Sequence, residues 1–235
     1  MVSLGASHEL LQMTPQEIRR AAFCLDGLRY SLSMADVAAQ RLQPTLDEVA
    51  RLHSTMQDAE LSVTAALLDA WSLVDMCHRA RELVQSTPTL PHRLPGIQIF
   101  LRATSQIEDL RHYVQHFRSH ITKIPASWSP LWGSLSWVPT FDPTTCYTVL
   151  TGNLIEGVEA HSISYDTHEF HFTTDIILST GVATADLLSI ATQLSNLRRS
   201  LVEWVKQHPV FTAKDANTLI STIAITPQKN ATNVA

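Results

Sequence analysis

A change in the repeat of apolar residues restricts the fold of this chain more than any other feature. From Ile18 to Lys123, and again from Leu187 to Trp204, apolar side chains recur at three- and four-residue steps, whereas between Ser127 and Thr180 they recur at every second position. The first repeat sets one face of a helix against a core and the second sets one face of a strand there, so the two segments cannot exchange structures. The order points to an α+β protein: an antiparallel bundle of four main helices with a small antiparallel β-sheet inserted before the last helix. Residues 14–123 form the bundle, 184–208 complete it, 127–180 form the insert, and 209–235 read as a C-terminal tail with one edge strand over 218–226.

Local signals set the boundaries. Thr14-Pro15-Gln16-Glu17 offers a hydroxyl cap, a first-turn proline and a glutamate placed to close a capping box. The helix it opens runs to about Gln43, with Ile18, Ala21, Ala22, Leu25, Leu28 and Leu32 on one face. Pro44 ends it, because the residue before a proline is steered away from helical backbone. Thr45-Leu46-Asp47-Glu48 opens a second helical region that continues to Ser86 without proline or glycine. Pro88, Pro91, Pro95 and Gly96 make a loop, and a third helix follows from Ile97 to about Lys123. Strands are expected over Leu131 to Val138, Thr145 to Leu150, Ser162 to Tyr165 and Glu169 to Leu178. Thr184-Ala185-Asp186 caps the last helix, whose Leu187, Leu188, Ala191, Leu194, Leu197, Leu201 and Trp204 form a wide apolar stripe.

Charge confines any polyanion contact to a small area. The formal charge is -5, and no Lys or Arg falls between Lys123 and Arg198, where Asp142, Glu156, Glu159, Asp166, Glu169, Asp175 and Asp186 lie. The insert therefore repels a phosphate backbone. Cys24, Cys77 and Cys146 are widely spaced and odd in number, which fits a reducing compartment and a cytoplasmic protein. Met1 to Met13 lacks the apolar core of an export signal, and no window has the ~20 apolar residues of a membrane span, so no membrane contact is expected.

Basic residues, histidines and a helical apolar stripe coincide in one place, Ile107 to His120. Ile107, Leu110, Val114, Phe117 and Ile121 face inward at helical spacing, leaving Asp109, Arg111, His112, Gln115 and His116 on other faces. His112, His116 and His120 stand four apart, but the outer two are ~12 Å apart along a helix axis, so one metal ion would reach only a neighbouring pair. Asp69, Asp75 and His78 form no ligand pattern with them, and His161, His168 and His171 in the insert have no diagnostic spacing. No cofactor or metal is expected. With seven glycines, none clustered, the chain has no phosphate-cradling loop and no nucleophile elbow. Arg111 and His116 remain as a pair able to neutralise a phosphate and move a proton. On one helix they diverge by ~140°, so a second copy facing the first would complete the groove.

The R-x4-H spacing of Arg111 and His116, the polar His112 after the arginine, and the preceding aspartate-bearing helix Leu68-Asp69-Ala70-Trp71-Ser72-Leu73-Val74-Asp75 resemble the HEPN superfamily over about residues 45–123. The resemblance implies a homodimeric helical bundle, metal-independent RNA cleavage and a role in prokaryotic defence or toxin–antitoxin systems. It implies Arg111 and His116 as the catalytic pair, His112 as a polar helper, Asp69 or Asp75 as the group orienting Arg111, and an antitoxin or complex subunit as protein partner. The sheet and the acidic surface are not part of the minimal family pattern. The alternative is a non-catalytic dimeric interaction protein whose bundle and Trp-containing sheet, with Trp128, Trp132 and Trp137, form a partner surface.

Overall fold

The structure, a computed structural model, describes residues 14–88, 90–91, 94–121, 131–151, 163, 165–166, 171–180 and 183–208. The expected tail over 209–235 and its edge strand, His161, His168 and Trp128 lie outside these residues. The class is α+β, with a small antiparallel sheet ahead of the last helix.

Helix α1, Pro15–Ser54, begins at the expected capping box. The Glu17 N–H donates to Thr14 Oγ1 at 3.3 Å, and the Thr14 N–H donates to Glu17 Oε2 at 2.8 Å. The Thr14 N–H and the Thr14 hydroxyl, both donating to the Glu17 carboxylate, hold that carboxyl below its ordinary range. The helix does not stop at Pro44 but runs ten residues further. Pro44 is exposed, so the Gln40 carbonyl that loses its partner faces water. Thr45 Oγ1 donates to the Arg41 carbonyl at 2.8 Å, and buried Leu42, Leu46, Val49 and Ala50 carry the apolar face through the proline.

The break comes at Thr55–Ala59. Met56 takes a positive φ of 56°, its N–H donates to the His53 carbonyl, and the Gln57 N–H donates to the Leu52 carbonyl. This is a Schellman ending with methionine where glycine is usual. Helix α2, Glu60–Ser86, then returns along α1. Gly27 lets the two approach closely, for a Cβ there would stand 3.1 Å from Leu83. Along their seam Leu28, Leu32, Ala35 and Leu42 join Ala66, Ala70, Leu73, Cys77 and Ala80 in the core. Small side chains on α2 permit this close spacing.

The expected third helix is three: α3, Pro95–Ala103; α4, Gln106–Gln115; and α5, Phe117–Ile121. The first break sits at Thr104, fully buried, whose Oγ1 donates to the Phe100 carbonyl and accepts from Arg81. The second falls on His116, which ends α4 with φ -111° and ψ 24°. Among the described residues α3 packs on the last helix and α4 on α2.

Strands β1, Ser134–Trp137; β2, Tyr147–Leu150; β5, Ile176–Ser179; and β6, Thr184–Asp186 form an antiparallel sheet in the order β2-β1-β5-β6. Leu135 stands opposite Val149 and Leu178. Two short strands, β3, Tyr165–Asp166, and β4, His171–Phe172, pair separately. The strand expected over Glu169 to Leu178 is thus divided, with Thr173 Oγ1 turned back onto Asp175 at 2.6 Å in the gap. All of β1 is buried rather than alternating, with Leu135 and Trp137 in the hydrophobic core. Gly133, just before β1, has φ +80°, and a Cβ there would come within 2.4 Å of the Ser179 carbonyl oxygen.

Thr184 to Asp186 was expected only as a cap and is also the edge strand. Asp186 closes β6 and accepts from the Leu188 and Ser189 N–H groups at 2.9 and 3.1 Å, starting α6, Leu187–Lys206. Leu187, Ile190, Leu194, Leu197, Leu201 and Trp204 bury the inner face of α6. Asp47 of α1 fastens the insert to the bundle, accepting from the Thr140 N–H at 3.0 Å and from the Thr140 hydroxyl.

Two outcomes follow. Asp47→Ala should lower unfolding free energy by about 2 kcal/mol, since a buried acceptor with several donors is lost, read by denaturant melts. Burial, with Asp175 nearby, pushes the Asp186 carboxyl up, against the pull of its two amide bonds. Its ionisation therefore costs folded stability as pH rises from the unfolded-chain value of ~3.9 through the higher folded value. Asp186→Asn, which keeps a capping oxygen, should gain stability relative to the parent across that interval, and a constant difference would refute the assignment.

Candidate functional site

The two aspartates singled out in the sequence occupy different places on α2, and Arg111, His112 and His116 lie on and at the end of α4. Asp69 is buried at 3% exposure and belongs to the hairpin seam, where Arg41 Nε of α1 donates to its Oδ2 at 3.1 Å and Nη2 donates to Oδ1. It makes no contact with Arg111. Asp75, about one and two-thirds turns further on, is the carboxylate that meets Arg111. Its Oδ1 lies 3.3 Å from Arg111 Nη2, and its Oδ2 accepts from Arg79 Nε at 2.8 Å.

Arg111 is half-buried on α4, with its Nε enclosed and lacking a hydrogen-bond partner among the described residues. The ion pair with Asp75 orients the guanidinium. His112 and His116, both exposed, lie with ring centroids 4.3 Å apart and planes at 48°. Their four-residue spacing across the end of α4 accounts for that approach. No hydrogen bond, ion pair or ring contact joins Arg111 to His116 among the described residues. The side chain of His120 lies outside them.

Beneath this pair runs a polar network that composition alone does not announce. Arg81 of α2 is 7% exposed. Its Nε donates to Glu108 Oε1 at 2.7 Å, and its Nη1 donates to the Leu101 carbonyl at 2.6 Å and to Thr104 Oγ1 at 2.8 Å. The other Glu108 oxygen stands 3.2 Å from His78 Nδ1, but without hydrogen-bond alignment, and His78 Nε2 is 3.4 Å from Glu82. The signal that would have exposed this network is Thr104, a helix-interrupting hydroxyl flanked by apolar turns.

Aromatic rings border the same end of α4. Tyr113 meets Phe117 at 5.3 Å and Phe117 meets Trp132 at 5.1 Å, both nearly perpendicular. Trp132 is 49% exposed, whereas Trp137 is buried and stacks on Tyr147, so it belongs to the core and to no partner surface.

Burial pushes the Cys77 thiol up to about 12, so this cysteine stays protonated at neutral pH and is no nucleophile. All three cysteines are free. Among the described residues no three His, Cys, Asp or Glu side chains are grouped as metal ligands, and no helix is long and apolar enough to cross a membrane. Among the described residues, concavities flank α6 against Leu94 to Gly96 and against Ala35 to Gln40, and neither is lined by Arg111 or His116. No protein-family model, curated protein or solved structure matches the chain.

Arg81→Ala should destabilise the fold by about 2–4 kcal/mol, because Glu108 and two buried acceptors lose their donor together. Thermal or denaturant unfolding reads this, and a loss no larger than that of the exposed Arg79→Ala would contradict the role.

Proposed function

We propose that the α2–α4 face belongs to a HEPN-like homodimer that cleaves RNA without a metal, in a prokaryotic defence or toxin–antitoxin setting. The observation that carries this reading is the Asp75–Arg111 ion pair, which holds a half-buried arginine on the helix that carries two exposed imidazoles. Arg111 neutralises the phosphate through charge-assisted hydrogen bonds. His116 takes the proton from the adjacent 2′-hydroxyl as its oxygen attacks phosphorus, and an imidazolium returns a proton to the departing 5′-oxygen. His112, in ring contact with His116, steadies it.

The separation of Arg111 from His116 within one chain supports two copies, each presenting one member of the pair across a shared groove. An acidic insert and a cation-bearing helix favour a strand that enters over α4.

A second reading, a non-catalytic dimer that holds a protein partner such as an antitoxin or complex subunit, draws on Phe23, Tyr30, Met34 and Val37. These are exposed at near-heptad spacing along one face of α1. In EDTA the purified protein should degrade RNA, and His116→Ala should slow it at least a hundredfold, the scale of a lost general base. Equal rates in parent and variant end the catalytic reading, and an inert parent that co-purifies with a stable partner favours the second.

A further inference from the structure

We propose that Trp132 is a stacking platform for an unpaired nucleobase of the RNA strand held at the α2–α4 face, so that the site selects single-stranded over duplex RNA. This rests on the reading of that face as RNA-binding.

Trp132 is the large aromatic side chain beside the candidate site that remains 49% exposed, and its backbone is held from two directions. Trp71 of α2 donates its Nε1–H to the Trp132 carbonyl at 3.1 Å, and the Tyr113 hydroxyl of α4 donates to the neighbouring Leu131 carbonyl at 3.0 Å. Phe117 supports the indole at 5.1 Å with its plane at 87°. An apolar ring that served only the core would be drawn inward. Here its main chain is tied down while the ring stays open to water.

Each anchor belongs to a residue next to the candidate chemistry. Trp71 precedes Asp75 by four positions, about one turn or ~6 Å along α2, and Asp75 is the group that touches Arg111. Phe117 follows His116 directly in the chain. The Trp132 backbone is thereby tied to α2 and α4, and its ring to the residue that follows His116.

Charge then decides which part of a strand fits. Trp132 lies within the stretch between Lys123 and Arg198 that holds no Lys or Arg, so phosphates are unfavourable there, while Arg111 is on α4. A base needs only a π-face, and stacking is indifferent to the missing cations. Bases therefore lie toward the insert and phosphates toward α4. Paired bases in an A-form duplex have their faces occupied by neighbours and cannot use the platform.

The test uses full-length protein with a short 2′-O-methyl oligouridylate, which lacks the attacking hydroxyl, and a duplex of equal length. Trp132→Ala should weaken oligouridylate binding roughly tenfold to a hundredfold with duplex binding unchanged, the range of one lost base–aromatic stack. Trp132→Phe should stay within a few fold of the parent, Trp132→Leu should behave as the alanine variant while keeping apolar bulk, and Arg111→Ala should weaken both RNAs. Indole fluorescence quenched on oligouridylate addition in the parent, and less so in Trp132→Phe, is the matching spectroscopic sign. A parent that binds and cleaves RNA while Trp132→Leu binds as tightly overturns the platform alone. A parent that neither binds nor cleaves overturns both readings. Loss of self-association or of a bound protein in Trp132→Leu, with RNA binding unchanged, assigns the ring to a protein contact and also overturns the platform.

Discussion

A guanidinium keeps its charge inside a protein, so it can be buried only where acceptors meet its N–H groups. Arg81 meets that condition at the junction of three helices: α2 supplies the arginine, the end of α3 supplies a carbonyl and a hydroxyl, and α4 supplies a carboxylate. The break between α3 and α4 is where the acceptors come from, since a continuous helix would have spent the Leu101 carbonyl on its own ladder. The direction of α4 against α2 depends on this interaction. With it goes the position of Arg111 opposite Asp75, because Glu108 and Arg111 lie three residues apart on the same helix.

That dependence explains how the polar face can sit on a hairpin made largely of alanine and leucine. The α1–α2 seam is apolar and closely packed, with Arg41 and Asp69 as its charged pair at one side. Another side of α2 presents Asp75, His78 and Arg81 to α4. One helix thus serves as structural floor on one face and as a bed for charged groups on another, a division made possible by the 100° step between successive side chains.

Elements whose signals are local and chemical were legible in the sequence. The Thr14–Glu17 capping box and the Asp186 cap need only short-range partners, and the sheet was visible as a change of period. Pro44 misled, because its effect depends on whether the freed carbonyl meets solvent or core, a tertiary matter. The turn at Met56 gave no warning, since a left-handed residue is normally announced by glycine and here a methionine is held there by two backbone hydrogen bonds. The break at Thr104 was hidden because its cause, Arg81, lies 23 residues away. At the candidate site, Arg111 and His116 could be named from their spacing and His112 from its place after the arginine, while Asp75 came only as one of two aspartates that a family resemblance implied. Which of two aspartates meets Arg111 could not be named, because Asp69 and Asp75 sit on the same helix and the packing of α1 and α4 against it decides which one each arginine reaches.

The passage from β6 into α6 has a mechanical consequence. With Asp186 ending the strand and capping the helix, no linker separates sheet from bundle at that point. A hinge needs residues free to change their backbone angles, and here each is committed to a ladder, a cap or a helical turn. Sheet edge and final helix therefore move as one rod, and a force on the β5–β6 ladder is delivered directly to the helices against which α6 lies.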